Sequence, residues 1–386
     1  MAEDRRYVAL DIHKYYVMVG AVNGEQAVVL PTHKVQIMDF DNWATKHLRA
    51  TDWVVMEATT NVWSLHDLLD PLVEQIIVVA PQQVKLVTQS DVKTDRRAVL
   101  TLAKLLSVKM ADLVPPVWVP PQSARELRGL VRHRQALVAD RSAAKNRLRS
   151  LLHSHRIAPP AGELFGPAQR EWWEDLPLSR TEKLRIRQLL SLIDQLTTML
   201  DELEAELAQL SLDEPWAEQV PFLLQIPGFG LLTAMSLLGA IGDIRRFPTA
   251  KNLVGYAGLG VRLHDSGETR QTGHITKQGR KELRTALVEA AWMTVRYHPH
   301  WKAQFDALSA RRGRHIAIVA IARKLLVLVW HVLTDRAADR HADPAAVARK
   351  FMKWASTHQL ATSRGYSRQA FVQHHLQLIG LEAGAT

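Results

Sequence analysis

The sequence predicts an α/β domain with a mixed sheet at its N-terminus, then a long helical, coiled-coil region, then a mostly α-helical C-terminal domain. Three observations predict it. Short β-prone runs alternate with helix-like segments over the first 110 residues. Two very long helical patterns follow, one basic and one carrying a leucine seam. From Val220 to Leu333 the chain is apolar and helix-patterned, except for a Gly-rich insertion between Gly255 and Gly279.

Tyr7–Ile12, Tyr15–Val22 and Ala27–Leu30 read as strands, with Asn23-Gly24 as a hairpin signal between the last two. A helix is expected over Phe40–Leu48, a strand over Trp53–Met56 and a helix over Val62–Glu74. A strand over Ile76–Ala80 and a helix after Pro81 complete the domain. Ser123 and Glu126 form a capping-box pattern that opens a long helix to Arg156, which Pro159-Pro160 ends. In the next helix Ile186, Leu189, Ile193, Leu196, Leu200, Leu203, Leu207 and Leu210 are spaced alternately by three and four. That seam requires a helical partner, in the same chain or another. Trp172-Trp173 suits either a docking anchor or a small core. The expected division is 1–112, 113–215, 216–335 and a polar tail over 336–386, where His374-His375 reads as surface.

Lys and Arg number 49 against 39 Asp and Glu, a formal charge of +10, and the pI is near 9.8. A polyanion, most commonly nucleic acid, is the natural partner of such a surface; a basic enzyme that never meets nucleic acid is the alternative. The absence of cysteine excludes disulfides and thiolate metal sites. Residues 316–333 are apolar, but Arg323, Lys324 and His331 interrupt them, so a buried helix is expected rather than a membrane span. No apolar signal segment precedes the first strand, and a cytoplasmic, nucleoid-associated protein is expected.

Asp11 ends the first strand (VALDIHK) and Glu57 ends a later apolar one (WVVMEAT). If these strands are neighbours, both carboxylates emerge at one edge of the sheet. Asp95, in DVKTDRRAVLTLAKLL, supplies a third acid on a helix. Such a set suits Mg²⁺, which takes hard oxygen ligands and stabilises both attacking and leaving oxygens in phosphodiester cleavage. Each acid alone also fits an ordinary turn or cap.

LDIHK, VVMEAT and KTDRR, in this order and spacing, resemble the RNase H-like (RuvC-like) domain of the DEDD-type insertion-sequence transposases, the insertion-sequence-110 family. That resemblance implies Mg²⁺ binding by four acids, of which three carry over to Asp11, Glu57 and Asp95. At the fourth acid's place stands Ala98, which has no ligand atom. An inactivated variant, a decayed natural copy and replacement by another ligand are all open, with Asp91 as the only nearby acid.

A second resemblance to the same family lies in GYAGLGVRLHDSGETRQTGHITKQGRKELR. Gly258-Leu259, Ser266-Gly267, Thr276-Lys277, Gly279 and Leu283-Arg284 match its C-terminal transposase domain, with departures at Val261 and Arg280. The resemblance implies that Ser266 is the nucleophile. A phosphoserine link conserves the bond energy and permits rejoining without ATP. Arg262, Arg270, Lys277 and Arg284 could hold the DNA backbone. His264 and His274 could serve as bases, contact phosphate or simply lie exposed. Ile226–Gly230 resembles a helix-hairpin-helix turn, which an ordinary helix corner would also explain.

On the basic helix, Arg125, Arg128, Arg132, Lys145 and Arg149 form a candidate nucleic-acid face; a solvated basic face is the competing reading. The family resemblance further implies double-stranded donor and target DNA, a structured bridge RNA as guide, and a homotetramer built of dimers. In that assembly the acids of one protomer meet the serine of another, and the Ile186–Leu210 seam would suit dimerisation. Two other functions compete: a RuvC-like metal-dependent nuclease with Ser266 structural, and a nucleic-acid-binding protein without catalysis because Ala98 has emptied the metal site.

Overall fold

In the computed structural model, which describes residues 5–88, 94–108, 115–266 and 269–381, β1 (Tyr7–Ile12) is the central strand of a five-stranded sheet. β2 (Tyr16–Val22) pairs antiparallel with β1, and β3 (Val28–Gln36) antiparallel with β2. Helix α1 (Phe40–His47) leads to β4 (Trp53–Glu57), which runs parallel along the other side of β1. Helix α2 (Val62–Leu69) then leads to β5 (Gln75–Val79), parallel to β4. Helices α3 (Pro81–Thr88) and α4 (Asp95–Ser107) complete this unit.

The sheet is covered on both faces, so its inner strands are apolar throughout instead of alternating. On one face Val8, Leu10, Val54 and Met56 pack with Phe40 and Trp43 of α1 and Leu65 and Leu69 of α2. On the other, Ala9, Met18 and Val55 receive Val99, Leu102, Ala103 and Leu106 of α4. Those α4 residues are spaced i, i+3, i+4, i+7, the stripe that one helix face presents. Gly20 lets α4 lie close: a Cβ there would stand 3.0 Å from Val99 Cγ1 and 2.9 Å from Thr32 Cγ2.

Two boundaries differ from expectation. β3 runs on to Gln36 through Pro31, which sequence reasoning took as its end. It is an edge strand, where a proline's missing N–H costs no ladder bond. Helix α2 stops at Leu69 and not at Glu74, because Pro71 restricts the residue before it and cannot donate to the helix.

The chain divides into two compact units, Met1–Pro120 and Pro121–Thr386. The second begins with α5 (Gln122–Ser154), 33 residues long. It starts one residue before Ser123, so the expected capping box does not form; Pro121 is the cap, and Gln122 Nε2 donates to Glu126 Oε1 at 2.7 Å. After the short α6 (Arg170–Asp175), α7 (Arg180–Leu210) runs back along α5. Ser179 caps α7 by accepting from the Glu182 amide.

The leucine seam therefore finds its partner within the chain. Ile186, Leu190 and Ile193 pack with Ala144, Leu148 and Leu152; Leu196, Leu200, Leu203 and Leu207 join the larger core with Leu127, Val131 and Leu137. Arg134 also pairs with Glu204 across the hairpin. Trp173 is fully buried, its indole N–H donating to the Leu164 carbonyl at 3.0 Å, which resolves the tryptophan pair as a small core.

Helices α8 (Val220–Leu224), α9 (Leu231–Ile241) and α10 (Ala250–Tyr256) precede a two-stranded hairpin, β6 (Val261–Ser266) and β7 (Thr269–Ile275). Then follow α11 (Lys281–Tyr297), α12 (Pro299–Arg312) and α13 (Arg314–Asp335). The α13 helix is long and apolar enough to cross a membrane by composition. Its apolar face, Ile318, Ile321, Leu325, Leu326 and Val329, is buried in the protein core, as expected. Gly228, with φ +79°, turns the chain where any Cβ would stand 2.3 Å from Thr294 Oγ1, so only glycine fits between α8 and α9.

The stretch beyond Asp335 is not the polar tail expected. It forms α14 (Pro344–Ser356), α15 (Leu360–Ser363) and α16 (Arg368–Leu378), which deliver Val347, Phe351, Trp354, Phe371 and Leu376 to the same core. The few apolar residues there are large and fall on one face, so an average polarity concealed them. Trp354 Nε1 donates to the buried Ser211 hydroxyl at 2.9 Å. His375, expected on the surface, is buried against Trp354 and Phe371.

Burial lowers the His375 imidazole from its usual range to about 4, leaving it neutral with Nδ1 paired to the Phe371 carbonyl. The unfolded chain binds a proton near the ordinary imidazole value of 6.5 that the folded one refuses, so stability rises with pH across that window and is lost as pH falls through it. Between those two values the loss is about 3 kcal/mol. Urea titrations from pH 7 to pH 4 are expected to show this decline, and His375→Phe to flatten it.

Candidate functional site

The parallel pairing of β1 and β4 puts Leu10 opposite Met56. Asp11 and Glu57 thus follow side by side at the same edge of the sheet. Asp95 opens α4, whose first turn is capped by Thr94 Oγ1 accepting from the Arg97 amide. His13 Nε2 lies 3.2 Å from Asp11 Oδ2 and 3.6 Å from Asp95 Oδ2. The ligand atoms of Asp11, His13 and Asp95 all fall within 4.8 Å of one another. Tyr16 donates its hydroxyl to Asp95 Oδ2 at 3.1 Å and stacks on His13 with centroids 4.4 Å apart.

Burial raises the Asp11 carboxyl above its ordinary range; His13 pulls it back by charge and hydrogen bonding, and Asp95 adds to the rise. Partial desolvation, then the bond to Asp95, hold the Tyr16 phenol above its usual range. Two carboxylates and an imidazole, with Glu57 on the adjoining strand, fit a divalent cation: the carboxylates are hard donors, the imidazole a borderline one, and the carboxylates bring negative charge. Ala98 is exposed, one helical turn after Asp95, and brings no ligand atom. Asp91 lies outside the described residues.

His13 was not foreseen, though a signal existed. It stands two residues after Asp11 at a strand end, where the period of two directs both side chains to one side. Tyr16 returns to them because the His13 amide bonds to the Tyr16 carbonyl at 2.9 Å, closing the turn.

Ser266 is the last residue of β6, in register with Thr269 of β7. The side chains of Arg262, His264, Ser266 and Arg270 lie outside the described residues. Glycines shape the base of the hairpin: at Gly258 (φ +68°) and Gly279 (φ +111°) an added Cβ would stand 2.3 Å from Gln278 O and 2.2 Å from Tyr256 O. Lys277 is exposed, with φ +55°.

The candidate cations divide into two sorts. Arg128 is buried and donates to the Gly239 and Ala240 carbonyls at 2.6 and 3.0 Å, closing the C-terminus of α9. Arg284 donates to the Ala257 carbonyl at 3.0 Å. Arg132 and Arg149 stand exposed on α5, while Arg125 and Lys145 are half-buried, Lys145 over the Phe165 ring.

Around Arg128 lies a group that sequence reasoning missed. Tyr256 donates to the Ala240 carbonyl at 3.2 Å and accepts from Arg280 Nε at 2.9 Å, and Arg246 donates to the Ile241 carbonyl at 3.0 Å. Burial pushes the Tyr256 phenol up, but Arg280, Arg246 and Arg128 outweigh it and lower it. Burial holds Arg128 down at about 10. No local pattern marks this group, because its members come from four separate segments.

The chain thus carries a sheet edge with clustered acids and, later in the sequence, a helical unit bearing a Gly-framed hairpin. Comparison with known proteins gives its class. Residues 8–157 match a family model described as Transposase, of the DEDD type found in IS110 elements. Residues 220–306 match the model of the Transposase IS116/IS110/IS902 family. The transposase for insertion sequence element IS1111A of Coxiella burnetii is 29% identical over 273 residues, 67% of this chain and 71% of that one. The transposase for insertion sequence element IS1328 of Yersinia enterocolitica is 25% identical over 286 residues, covering 73% and 84%. The pilin gene-inverting protein of Moraxella bovis is 26% identical over 340 residues, covering 85% and 96%. The class is that of insertion-sequence transposases, enzymes that cleave and rejoin DNA. This chain belongs to the IS110/IS116/IS902 family of them.

The two sorts of arginine are separable by experiment. Arg128→Met should cost about 2–3 kcal/mol in urea unfolding, since two buried carbonyls lose a charged donor. Arg132→Ala should leave stability within about 0.5 kcal/mol, yet reduce the slope of log affinity against log salt for duplex DNA.

Proposed function

We propose that this chain is a serine-dependent DNA recombinase that breaks and rejoins strands through a phosphoserine at Ser266. What supports the reading is the presence in one chain of both halves of the machinery. A DEDD-type segment brings Asp11 and Asp95 together, and a second family segment contains the Ser-Gly hairpin. In the transfer, Ser266 Oγ forms a bond to phosphorus as the bond from phosphorus to the departing sugar oxygen breaks. The serine proton is lost and the departing oxygen gains one, so nothing is consumed and the reverse step reseals the strand. Lys277 and Arg132 hold backbone phosphates, together with Arg262 and Arg270.

The first unit is read as RNase H-like (RuvC-like), with Asp11, Glu57 and Asp95 holding Mg²⁺. When bound, the ion supplies positive charge against the oxygens on which negative charge develops. Asp11 serves as a ligand in its ionised form, which burial disfavours and His13 favours, and His13 and Tyr16 hold the two aspartates in position. Ala98 removes a carboxylate from this set, so the chain as it stands has impaired catalysis. A bridge RNA as guide and a homodimeric or homotetrameric assembly complete the reading, both from the family resemblance. The filled α5–α7 seam leaves that assembly to other surfaces.

The test is a denaturing-gel assay for a covalent protein–DNA adduct, using donor and target DNA, element RNA and Mg²⁺. Ala98→Asp is expected to raise adduct formation at least about tenfold, the scale of one missing charged ligand. Ala98→Asp with Ser266→Ala should give none. Cleavage that persists in the double variant without an adduct would sink the serine mechanism and leave a metal-dependent nuclease.

A further inference from the structure

One donor at the acidic edge is not an acid. His13 Nε2 is 3.2 Å from Asp11 Oδ2 and 3.6 Å from Asp95 Oδ2. Ligand atoms that share one ion at about 2.1 Å stand about 3.0 Å apart along an octahedral edge and about 3.4 Å apart along a tetrahedral one. The two separations are therefore those of donors within a single coordination shell. A hydrogen bond to Asp11 accounts for the shorter one. It does not account for an oxygen of Asp95 at 3.6 Å from the same nitrogen, beyond hydrogen-bond range. The side chains of His13, Asp11 and Asp95 are 33%, 29% and 51% exposed, so an ion can enter and water can complete its shell.

The imidazole is held as a ligand has to be held. β1 ends at Ile12, and the His13 amide donates to the Tyr16 carbonyl at 2.9 Å, so the turn into β2 fixes the backbone beneath the ring. The Tyr16 ring stacks on the imidazole with centroids 4.4 Å apart and planes 21° from parallel, which fixes its rotation. Tyr16 also donates its hydroxyl to Asp95 Oδ2 at 3.1 Å, and the Lys34 ammonium lies 3.8 Å from the centre of the Tyr16 ring. Ligands oriented by hydrogen bonds from a surrounding layer of residues are the usual form of a protein metal site. Tyr16 forms that layer for both His13 and Asp95.

We propose that His13 is itself a metal ligand, binding a divalent cation through Nε2 beside Asp11 and Asp95 and supplying a donor that Ala98 does not. The inference rests on the reading of this edge as a cation site, which membership of a DEDD-type family supports independently of His13. Two chemical consequences follow. Imidazole is a borderline donor that suits the later first-row metals, whereas a set made of carboxylates alone suits Mg²⁺. The edge therefore favours Mn²⁺ and Co²⁺ over Mg²⁺ more strongly than an oxygen-only site does. A neutral imidazole brings no negative charge, so it replaces the donor missing at position 98 and not the charge.

The test is pulsed electron paramagnetic resonance on the full chain with Mn²⁺ alone, at about pH 8, where an ordinary imidazole is neutral. A histidine ligand places a nitrogen nucleus on the ion and modulates the echo, whereas oxygen ligands do not. The expected result is bound Mn²⁺ with nitrogen modulation in the parent chain. His13→Asp, which exchanges the nitrogen for an oxygen donor, should keep the ion and lose the modulation. His13→Phe, which keeps a ring against Tyr16 but has no donor, should lose the modulation too. Asp11→Asn should weaken Mn²⁺ binding at least about tenfold, which locates the ion at this edge. In calorimetric titrations His13→Asp should reduce the preference for Co²⁺ over Mg²⁺ about tenfold. Bound Mn²⁺ without nitrogen modulation in the parent chain would overturn the assignment of His13 and leave the acidic site standing, as would modulation that survives both His13 substitutions. A parent chain that binds no Mn²⁺ would overturn the assignment and the cation site together.

Discussion

The parallel register of β1 on β4 is the constraint on which the acidic edge depends. Because Leu10 lies opposite Met56, the next residue on each strand is a carboxylate, and both leave the sheet at the same end. A slip of one residue would send one of the two to the opposite face of the sheet. The register is held by burial rather than by the acids themselves. Val8, Leu10, Val54 and Met56 fill one face while Ala9 and Val55 fill the other, so no alternative pairing keeps both layers dry. A second anchor sits at the far end of the strands, where Arg6 makes a paired contact to Asp52, with Nε to Oδ1 at 2.9 Å and Nη2 to Oδ2 at 2.6 Å.

The third acid depends on a different contact, the seating of α4 on the sheet. Val99, Leu102, Ala103 and Leu106 fix the helix in rotation, and Gly20 sets how near it comes. Together they determine that Asp95, on the first turn, arrives beside Asp11 and His13. Position 98 falls one turn further along, three residues from Asp95, and is exposed, so the side chain there bears on the charge of this edge and not on the core.

What was legible in the sequence follows the same division. β1, β4 and β5 carry strong apolar signals, and Asp11 and Glu57 could be placed at strand ends from pattern, while Asp95 could be placed only within a helical segment. The α5–α7 hairpin was half legible: the seam on α7 is explicit, while its partner face on α5 is diluted by eight arginines and lysines. Helix was expected in places beyond Asp335, but the packing of those helices and of His375 into the core was missed, because a few large apolar residues suffice to anchor a segment that is polar on average. The Arg128, Arg246, Arg280 and Tyr256 group was invisible, because it is assembled from four segments around the carbonyls that end α9. Only the tertiary fold brings those residues together.

That group also changes what the net charge of +10 means. A basic composition was the first pointer to nucleic acid, but charge is a footprint only where it faces solvent. Arg6 is committed to a buried carboxylate. Arg128, Arg246 and Arg284 are committed to backbone carbonyls, and Arg280 to a phenol. These five guanidiniums satisfy acceptors in or beside the core, work for which arginine's several fixed donors suit it. The solvent-facing surplus is correspondingly smaller, and it includes side chains such as Arg132, Arg149 and Lys277 that the fold leaves exposed. A basic residue on a long helix is therefore evidence for nucleic acid only after its neighbours on the next helix have been examined. On α5, Arg128 is buried against backbone carbonyls, while Arg132, four residues on, stands in solvent.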